Sequence, residues 1–473
     1  MSANIPQETI RKLIRERGNI ARGFEKLAPH VQVVLELNVR TIGEKAKSNN
    51  FTPEKLLDWA AWLEKEQIRF TYTICSGGGA FGHRMEDLEK VLELAPTMCY
   101  GFATCENATL GKAWKEYFFE DVLKLARICK AHGKKLIIQE AGNGWHGYIK
   151  VPGVISKWLS PELRDTIIPI SRASTGAFEH CGAVLLGLAT SGLAPNWGVS
   201  TQNWMWGNMM GGWLPEEVMT RNDMMAAALG GRYFQFEHGP TAIKQMGLIV
   251  DNPGKTQNLG MNGVFFEYLR KGIFPHYGSS KLQNLSSKAF AQEYKTTEED
   301  WQASKYPADE RFTKDYLPFG PLPKGNPFTD LYNIKFGKAH NFQTPYGLIP
   351  IVPASFKLPE NRFKLYPMPT KENYNKTELI ATFEKAAENQ PFRTADCFLA
   401  VYKHDNGYLL YLIGTDMFDV DDGPVTVRIN KDLNISSAVD YVTGEKFEIK
   451  DGKIMTNVPG GVVRVLYVLI KKR

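Results

Sequence analysis

The sequence predicts a (β/α)8 TIM barrel followed by an antiparallel β-sandwich, and three observations carry that prediction. From residue 31 to about 275, short apolar runs alternate with longer helical stretches, the pattern of parallel strands joined by crossover helices. A Pro- and Gly-rich stretch then interrupts all regular patterning, and short β-rich runs separated by turn residues follow it to the end of the chain. Finally, 473 residues are too many for one compact core, so a large domain and a smaller one are expected. The predicted divisions are an N-terminal helical segment over 1–30, the barrel over 31–300, a connector over 301–339 and the sandwich over 340–473.

Seven strands are readable in the first part, over 31–37, 68–74, 98–103, 135–139, 166–171, 196–200 and 232–236, and an eighth is placed at 247–250. Between them, 53–66 follows a Thr52 cap and carries Leu56, Leu57, Ala60, Ala61 and Leu63 on helical spacing. Similar helices are expected over 84–94, 113–131, 173–189, 215–228 and 260–271. Seven or eight strand–helix units argue for a barrel rather than an open sheet, and no GxGxxG follows the first strand. Pro318 to Pro327 reads Pro-Phe-Gly-Pro-Leu-Pro-Lys-Gly-Asn-Pro, which no regular element accepts. The later runs, over 348–352, 397–402, 408–413, 425–429, 438–441 and 462–470, are separated by turns such as His404-Asp405-Asn406-Gly407 and Val442-Thr443-Gly444, the pattern of a sandwich.

Composition narrows the function classes. The balance of 57 Lys and Arg against 51 Asp and Glu gives a net charge of +6, scattered along the chain, so nucleic acid is not indicated as a partner. An ordinary solvated surface explains that charge, and an anionic polysaccharide would also suit it. The six cysteines form no CxxC pair and are expected as buried thiols. No apolar run reaches the roughly 20 residues of a membrane span, and residues 1–30 are charged and helical in pattern rather than a signal peptide.

The chemistry is expected where barrel enzymes place it, at the C-terminal ends of the strands. The third strand runs into Thr104-Cys105-Glu106-Asn107, the fourth into Glu140-Ala141-Gly142-Asn143-Gly144-Trp145-His146, and the seventh into Glu237-His238-Gly239. A carboxyl group at the end of an apolar run is partly desolvated and suits a general acid, while a second carboxylate across the pocket activates water or attacks directly. That division of labour is the scheme of glycoside hydrolysis, and it makes Glu106, Glu237 and Glu140 the candidate catalytic residues. Aromatic supply agrees, because six of the ten tryptophans fall between residues 145 and 213 and flat rings stack on sugars. Trp145, Trp204 and Trp206 are expected to contact substrate, with Asn143, His146, Gln202, Asn203 and His238 supplying polar contacts, whereas Trp158 and Trp197 read as core. Cys75-Ser76-Gly77-Gly78-Gly79-Ala80-Phe81-Gly82 lacks the Gly-Lys-Ser/Thr ending of a phosphate loop. His146, His180 and His238 show no metal-ligand spacing, so neither metal nor cofactor is expected.

The order of these features resembles family 98 of the glycoside hydrolases, endo-acting enzymes on galactose-containing glycans or xylan. The carrying segments are Trp62-Leu63-Glu64-Lys65-Glu66-Gln67-Ile68, Gly101-Phe102-Ala103-Thr104-Cys105-Glu106, and Leu188-Ala189-Thr190-Ser191-Gly192-Leu193 leading into Trp197-Gly198-Val199. Residues 264–275 resemble the closing barrel helix, and Tyr346-Gly347-Leu348-Ile349-Pro350-Ile351-Val352-Pro353 the start of the C-terminal sandwich. The resemblance is distant and implies an inverting hydrolysis of internal glycosidic bonds, with Glu106 as general acid and Glu237 on the base side. Glu140 is the reserve, as the acid in place of Glu106 or as a partner of Glu237. Where the family continues after Trp-Gly with an aspartate, this chain reads Val199-Ser200-Thr201-Gln202-Asn203, and an amide holds a water but cannot take its proton. A glycan-binding barrel without hydrolysis and a polysaccharide lyase are the alternatives. The expected partner is a polysaccharide or oligosaccharide, met outside the cytoplasm (secreted, periplasmic or at the cell surface) after removal of an export signal, with a cytoplasmic location as the alternative.

Overall fold

The computed structural model describes residues 6–39, 51–76, 81–107, 118–141, 145, 148–149, 153–173, 178–201, 216–236, 239–253, 260–274, 278–283, 289–292, 350–353, 356–357, 363–367, 390–394, 396–414, 423–459 and 462–471. Seven parallel strands form one sheet in chain order: β1 (Leu35–Asn38), β2 (Phe70–Ser76), β3 (Cys99–Cys105), β4 (Lys135–Ala141), β5 (Ile167–Ala173), β6 (Gly198–Thr201) and β7 (Tyr233–Phe236). Helices α2 (Pro53–Lys65), α3 (Met85–Leu94), α4 (Phe119–Ala131), α5 (Val154–Trp158), α6 (Phe178–Thr190) and α7 (Glu216–Ala228) lie in the successive crossovers. Helix α1 (Gln7–Leu27) precedes β1, and α8 (Gly239–Asp251) and α9 (Gly260–Arg270) follow β7.

The sheet curls into a barrel. Tyr100 at the start of β3 and Tyr233 on β7 share a hydroxyl–hydroxyl hydrogen bond of 2.8 Å, although three strands separate them in the sheet. At the seam, the Gln235 side chain of β7 donates to the Glu36 carboxylate of β1. The local chemistry explains the elements. Pro53 opens α2, Thr52 accepts from the Lys55 N–H at 3.4 Å, and Leu56, Trp59, Ala60, Trp62 and Leu63 bury one face. On β3 the chain passes Gly101 at φ +136°, where an added Cβ would stand 1.9 Å from the Lys135 carbonyl oxygen of β4, so only glycine fits.

One predicted element is corrected. Residues 247–250 are not an eighth strand; they lie in α8, whose buried residues Ala242, Ile243, Met246, Gly247 and Ile249 recur at helical spacing. Among the described residues the barrel sheet has seven strands. Helix α1 lies against α2 through Arg11–Asp58 at 2.7 Å and Arg15–Glu66 at 3.0 Å, and against α8, where Ile20 meets Gly247 and Gly23 meets Val250.

The C-terminal strands form two antiparallel sheets. One contains β11 (Phe392–Arg393), β14 (Gly423–Ile429), β17 (Ile449–Lys450) and β18 (Lys453–Val458). The other orders as β12 (Phe398–His404), β13 (Gly407–Ile413), β19 (Val463–Ile470), β15 (Ile435–Asp440) and β16 (Lys446–Phe447). One face of the five-stranded sheet packs on its partner sheet through Leu399, Val401, Leu410, Leu412, Leu466 and Val468, and the other packs on the barrel. Burial on both faces explains the unbroken apolar runs of β12 and β13. Tyr402 donates to the Ala228 carbonyl at 2.8 Å and Tyr411 to the Ile273 carbonyl at 2.9 Å, tying the two domains together. The described part of the predicted run over 348–352 does not join the sandwich. It contributes β9 (Ile351–Val352) to a separate parallel sheet with β8 (Ala289–Gln292) and β10 (Phe363–Pro367). The Pro-rich stretch from Pro318 to Pro327 lies outside the described residues.

Candidate active site

The polar side chains toward the C-terminal strand ends, Glu36, Asn38, Thr73, Cys105, Gln139, Arg172, Ser200 and Gln235, all line one cavity of about 880 Å³. A barrel of this class is ordinarily filled at that level by branched aliphatic side chains, so a polar layer around open space marks this end as a binding surface. Side chains fix the layer across the strands. Gln139 donates to Ser200 at 2.8 Å, Arg172 contacts the Cys105 sulfur at 3.3 Å, and the Glu36 carboxylate accepts from Thr73 on one oxygen and from Gln235 on the other.

Glu106 stands at the edge of this layer, one residue beyond β3. Its backbone is in the left-handed region at φ +55°, an uncommon conformation for a residue with a Cβ. Two bonds hold it there: its own N–H donates to the Gln139 carbonyl at 2.8 Å, and the next N–H, of Asn107, donates to the Glu140 carboxylate at 3.1 Å. The turn directs the Glu106 carboxylate to Arg172 at the end of β5, with which it forms an ion pair. The carboxylate remains partly open to solvent, 18% exposed against 8% for the arginine side chain.

Glu140 is placed differently from its prediction. Along β4, Ile137 and Gln139 line the lumen, whereas Leu136, Ile138 and Glu140 face the helical layer, where Glu140 is 1% exposed. There it accepts from the Tyr148 hydroxyl, whose ring packs edge-on against Trp145 and Trp158. Glu140 thus shapes the Glu106 turn from behind, and the structure does not bring the two carboxylates to one face. Trp145 is likewise a core residue, 2% exposed, with its indole N–H donating to the Ile170 carbonyl at 3.0 Å, so it offers no ring to the cavity. The expected core residues Trp158 and Trp197 are buried, Trp197 donating to Ser279 at 2.8 Å. Asn143, His146, Gln202, Asn203, Trp204, Trp206, Glu237 and His238 lie outside the described residues.

Burial, and then the neighbouring Glu140 charge, hold the Cys75 thiol well above its usual range, so it is an inert core group. Cys99, Cys129 and Cys397 are buried free thiols as well. Behind β6, the Asp223 carboxyl of α7 is fully buried and, among the described residues, bonded only to the Thr201 hydroxyl, at 3.4 Å; burial holds it protonated well above the ordinary aspartate range. Among the described residues no cluster of His, Cys, Asp and Glu is suited to hold a metal ion, and no helix is long and apolar enough to cross a membrane.

Sequence reasoning did not single out Glu36, Gln139, Arg172 and Gln235. A signal existed in the strands themselves: Leu35-Glu36-Leu37-Asn38 and Phe234-Gln235-Phe236 alternate apolar and polar residues, which in a parallel barrel aims the polar ones inward.

No family profile matches the chain, and no curated protein matches it by sequence. Solved structures do match. The catalytic module of a family 98 glycoside hydrolase from Streptococcus pneumoniae, in complex with the H-disaccharide blood group antigen, is similar with a TM-score of 0.58 at 13% identity, over 87% of this chain and 72% of that one. The same module in its native form gives 0.55 at 13% identity, over 89% and 73% of the two chains. The fold is therefore a TIM-type barrel with an appended β-sandwich. In particular, it is the fold of the family 98 catalytic modules, reached with only distant sequence likeness.

Proposed function

We propose that this protein is a glycoside hydrolase acting on O-glycosyl bonds inside a polysaccharide or complex glycan, of galactan type, anionic or sulfated forms included, or xylan. The observation that carries the reading is Glu106: a carboxylate on a left-handed turn just past the end of β3, ion-paired with Arg172 of the barrel cavity wall, in a fold shared with glycoside hydrolase modules. In the proposed reaction Glu106 protonates the leaving glycosidic oxygen. Glu237, from the end of β7, takes a proton from the water that attacks the anomeric carbon on the opposite face, giving inversion. For that geometry the two carboxyl groups stand about 6.5–9.5 Å apart. Before Glu106 can deliver a proton it must leave the Arg172 ion pair and take up a proton from solvent, so substrate binding would have to displace the guanidinium, and Arg172 would then hold a sugar hydroxyl. Gln202 and Asn203 would orient the water, and Trp204, Trp206, His146, Asn143 and His238 would bind the sugars. Such an enzyme meets its polymers outside the cytoplasm, which is where we place it.

The test is release of new reducing ends from a panel of galactans, xylans and blood-group-type glycans. Wild type should cut at least one, and Glu106→Gln and Glu237→Gln should each lose about 10²–10⁴-fold in rate. Equal rates in wild type and both variants would overturn the assignment. One observation favours a second reading, a glycan-binding barrel without hydrolysis: the ion-paired state of Glu106 coincides with an amide at Gln202. Binding without cleavage across the whole panel would select it.

A further inference from the structure

Glu36 has no part in the proton transfers above, yet it is a solvent-exposed carboxylate on the cavity wall. It lies two residues before the end of β1 and lines the cavity together with Arg172, Gln139 and Ser200 of the far wall. Its two oxygens are held by neutral donors from the flanking strands, Thr73 of β2 and Gln235 of β7. The basic side chains on the cavity wall are Arg17, His30, Arg172 and Arg232, and among the described residues none forms an ion pair with Glu36. Arg172 is turned to Glu106, and His30 is bonded to the Leu269 carbonyl at 2.6 Å. Among the described residues Glu36 therefore presents a negative charge, oriented by its neighbours and without a counter-ion, to a cavity of about 880 Å³, within the size range of small-ligand sites.

We infer that Glu36 is a ligand-facing carboxylate whose partner is the positive charge of a sugar ring at the barrel mouth. That charge is the oxocarbenium character of the ring in the transition state, and a stable cation of the same shape would bind in its place. Glu36 neither gives nor takes a proton: the C–O bond breaks as Glu106 protonates the leaving oxygen, and the proton of the attacking water goes to Glu237. The identity of the ring rests on the glycosidase reading, whereas the charge preference rests on the cavity alone.

Calorimetric titration separates the two. The probes are protonated piperidine iminosugars of galacto, gluco and xylo configuration, each paired with its neutral lactam. Wild type should bind at least one amine about tenfold or more tightly than its lactam, a ratio worth about 1.4 kcal/mol. Glu36→Gln, which keeps an acceptor for Thr73, should lose that preference. Thr73→Val keeps the charge and should keep the preference. Gln235→Lys, which sets an ammonium against an intact Glu36, should abolish it, and this arm stands even if Glu36→Gln fails to fold. Retention of the preference in Glu36→Gln or Gln235→Lys, or no amine preference in wild type, overturns the inference. Loss of the preference in those two variants, in a protein that cuts none of the glycan panel, upholds Glu36 and overturns the glycosidase reading instead.

Discussion

Glu140 should fail in stability before it fails in chemistry. One carboxylate oxygen accepts from both the Asn107 N–H, at 3.1 Å, and the Tyr148 hydroxyl, in a site 1% exposed. Glu140→Ala strands two donors where water does not reach, at about 1–3 kcal/mol each, so the loss is on the order of 2–6 kcal/mol. Glu140→Gln keeps an oxygen in place and exchanges two charge-assisted bonds for neutral ones, a loss on the order of 2 kcal/mol. At about 2–4 °C per kcal/mol for a domain of this size, Gln should lower the melting midpoint by about 4–8 °C and Ala by on the order of 10 °C. Thermal unfolding followed by circular dichroism reads this directly. A double-mutant cycle with Tyr148→Phe should show coupling of about 0.5–3 kcal/mol, because the two side chains share one bond. Glu106→Gln, which exchanges one charge-assisted bond to Arg172 for a neutral one, should lose less, on the order of 1 kcal/mol. Were Glu140→Gln to melt like wild type and lose all hydrolysis, the assignment of Glu140 to the helical layer would be refuted and a catalytic role restored.

Two further outcomes follow from single residues. Folded, Asp223 keeps its proton well above the ordinary value of 3.8 that it regains on unfolding, so its favourable contribution is complete below that value and is lost as pH rises toward the folded pKa; Asp223→Asn should therefore gain on wild type in melting temperature between pH 4 and pH 8, and parallel curves would count against a buried acid. Gly101→Ala drives a Cβ to 1.9 Å from the Lys135 carbonyl at φ +136°, so it should cost at least about 4 kcal/mol and reduce soluble yield, whereas an unchanged melting temperature would contradict the β3–β4 register.

The barrel was legible because each strand–helix unit carries its own period, and α2 illustrates this with its Thr52 cap and one buried stripe. The eighth strand was misread because a short apolar run is ambiguous by itself; 247–250 became helical only as part of the longer face that α8 buries. Glu106 was legible from its place just after β3. Glu140 was not, because β4 is covered on both faces, and Leu136-Ile137-Ile138 leaves no polar alternation to tell which of Gln139 and Glu140 points inward.

What the sequence by itself determined is the succession of elements and the presence of carboxylates at strand ends, since periodicity and turn chemistry act over a few residues. What only the tertiary structure decided is which side chains meet. Arg172 reaches Glu106 across 66 residues of chain and Gln235 reaches Glu36 across 199, and both pairs exist because the curl of the sheet brings the ends of distant strands around one cavity.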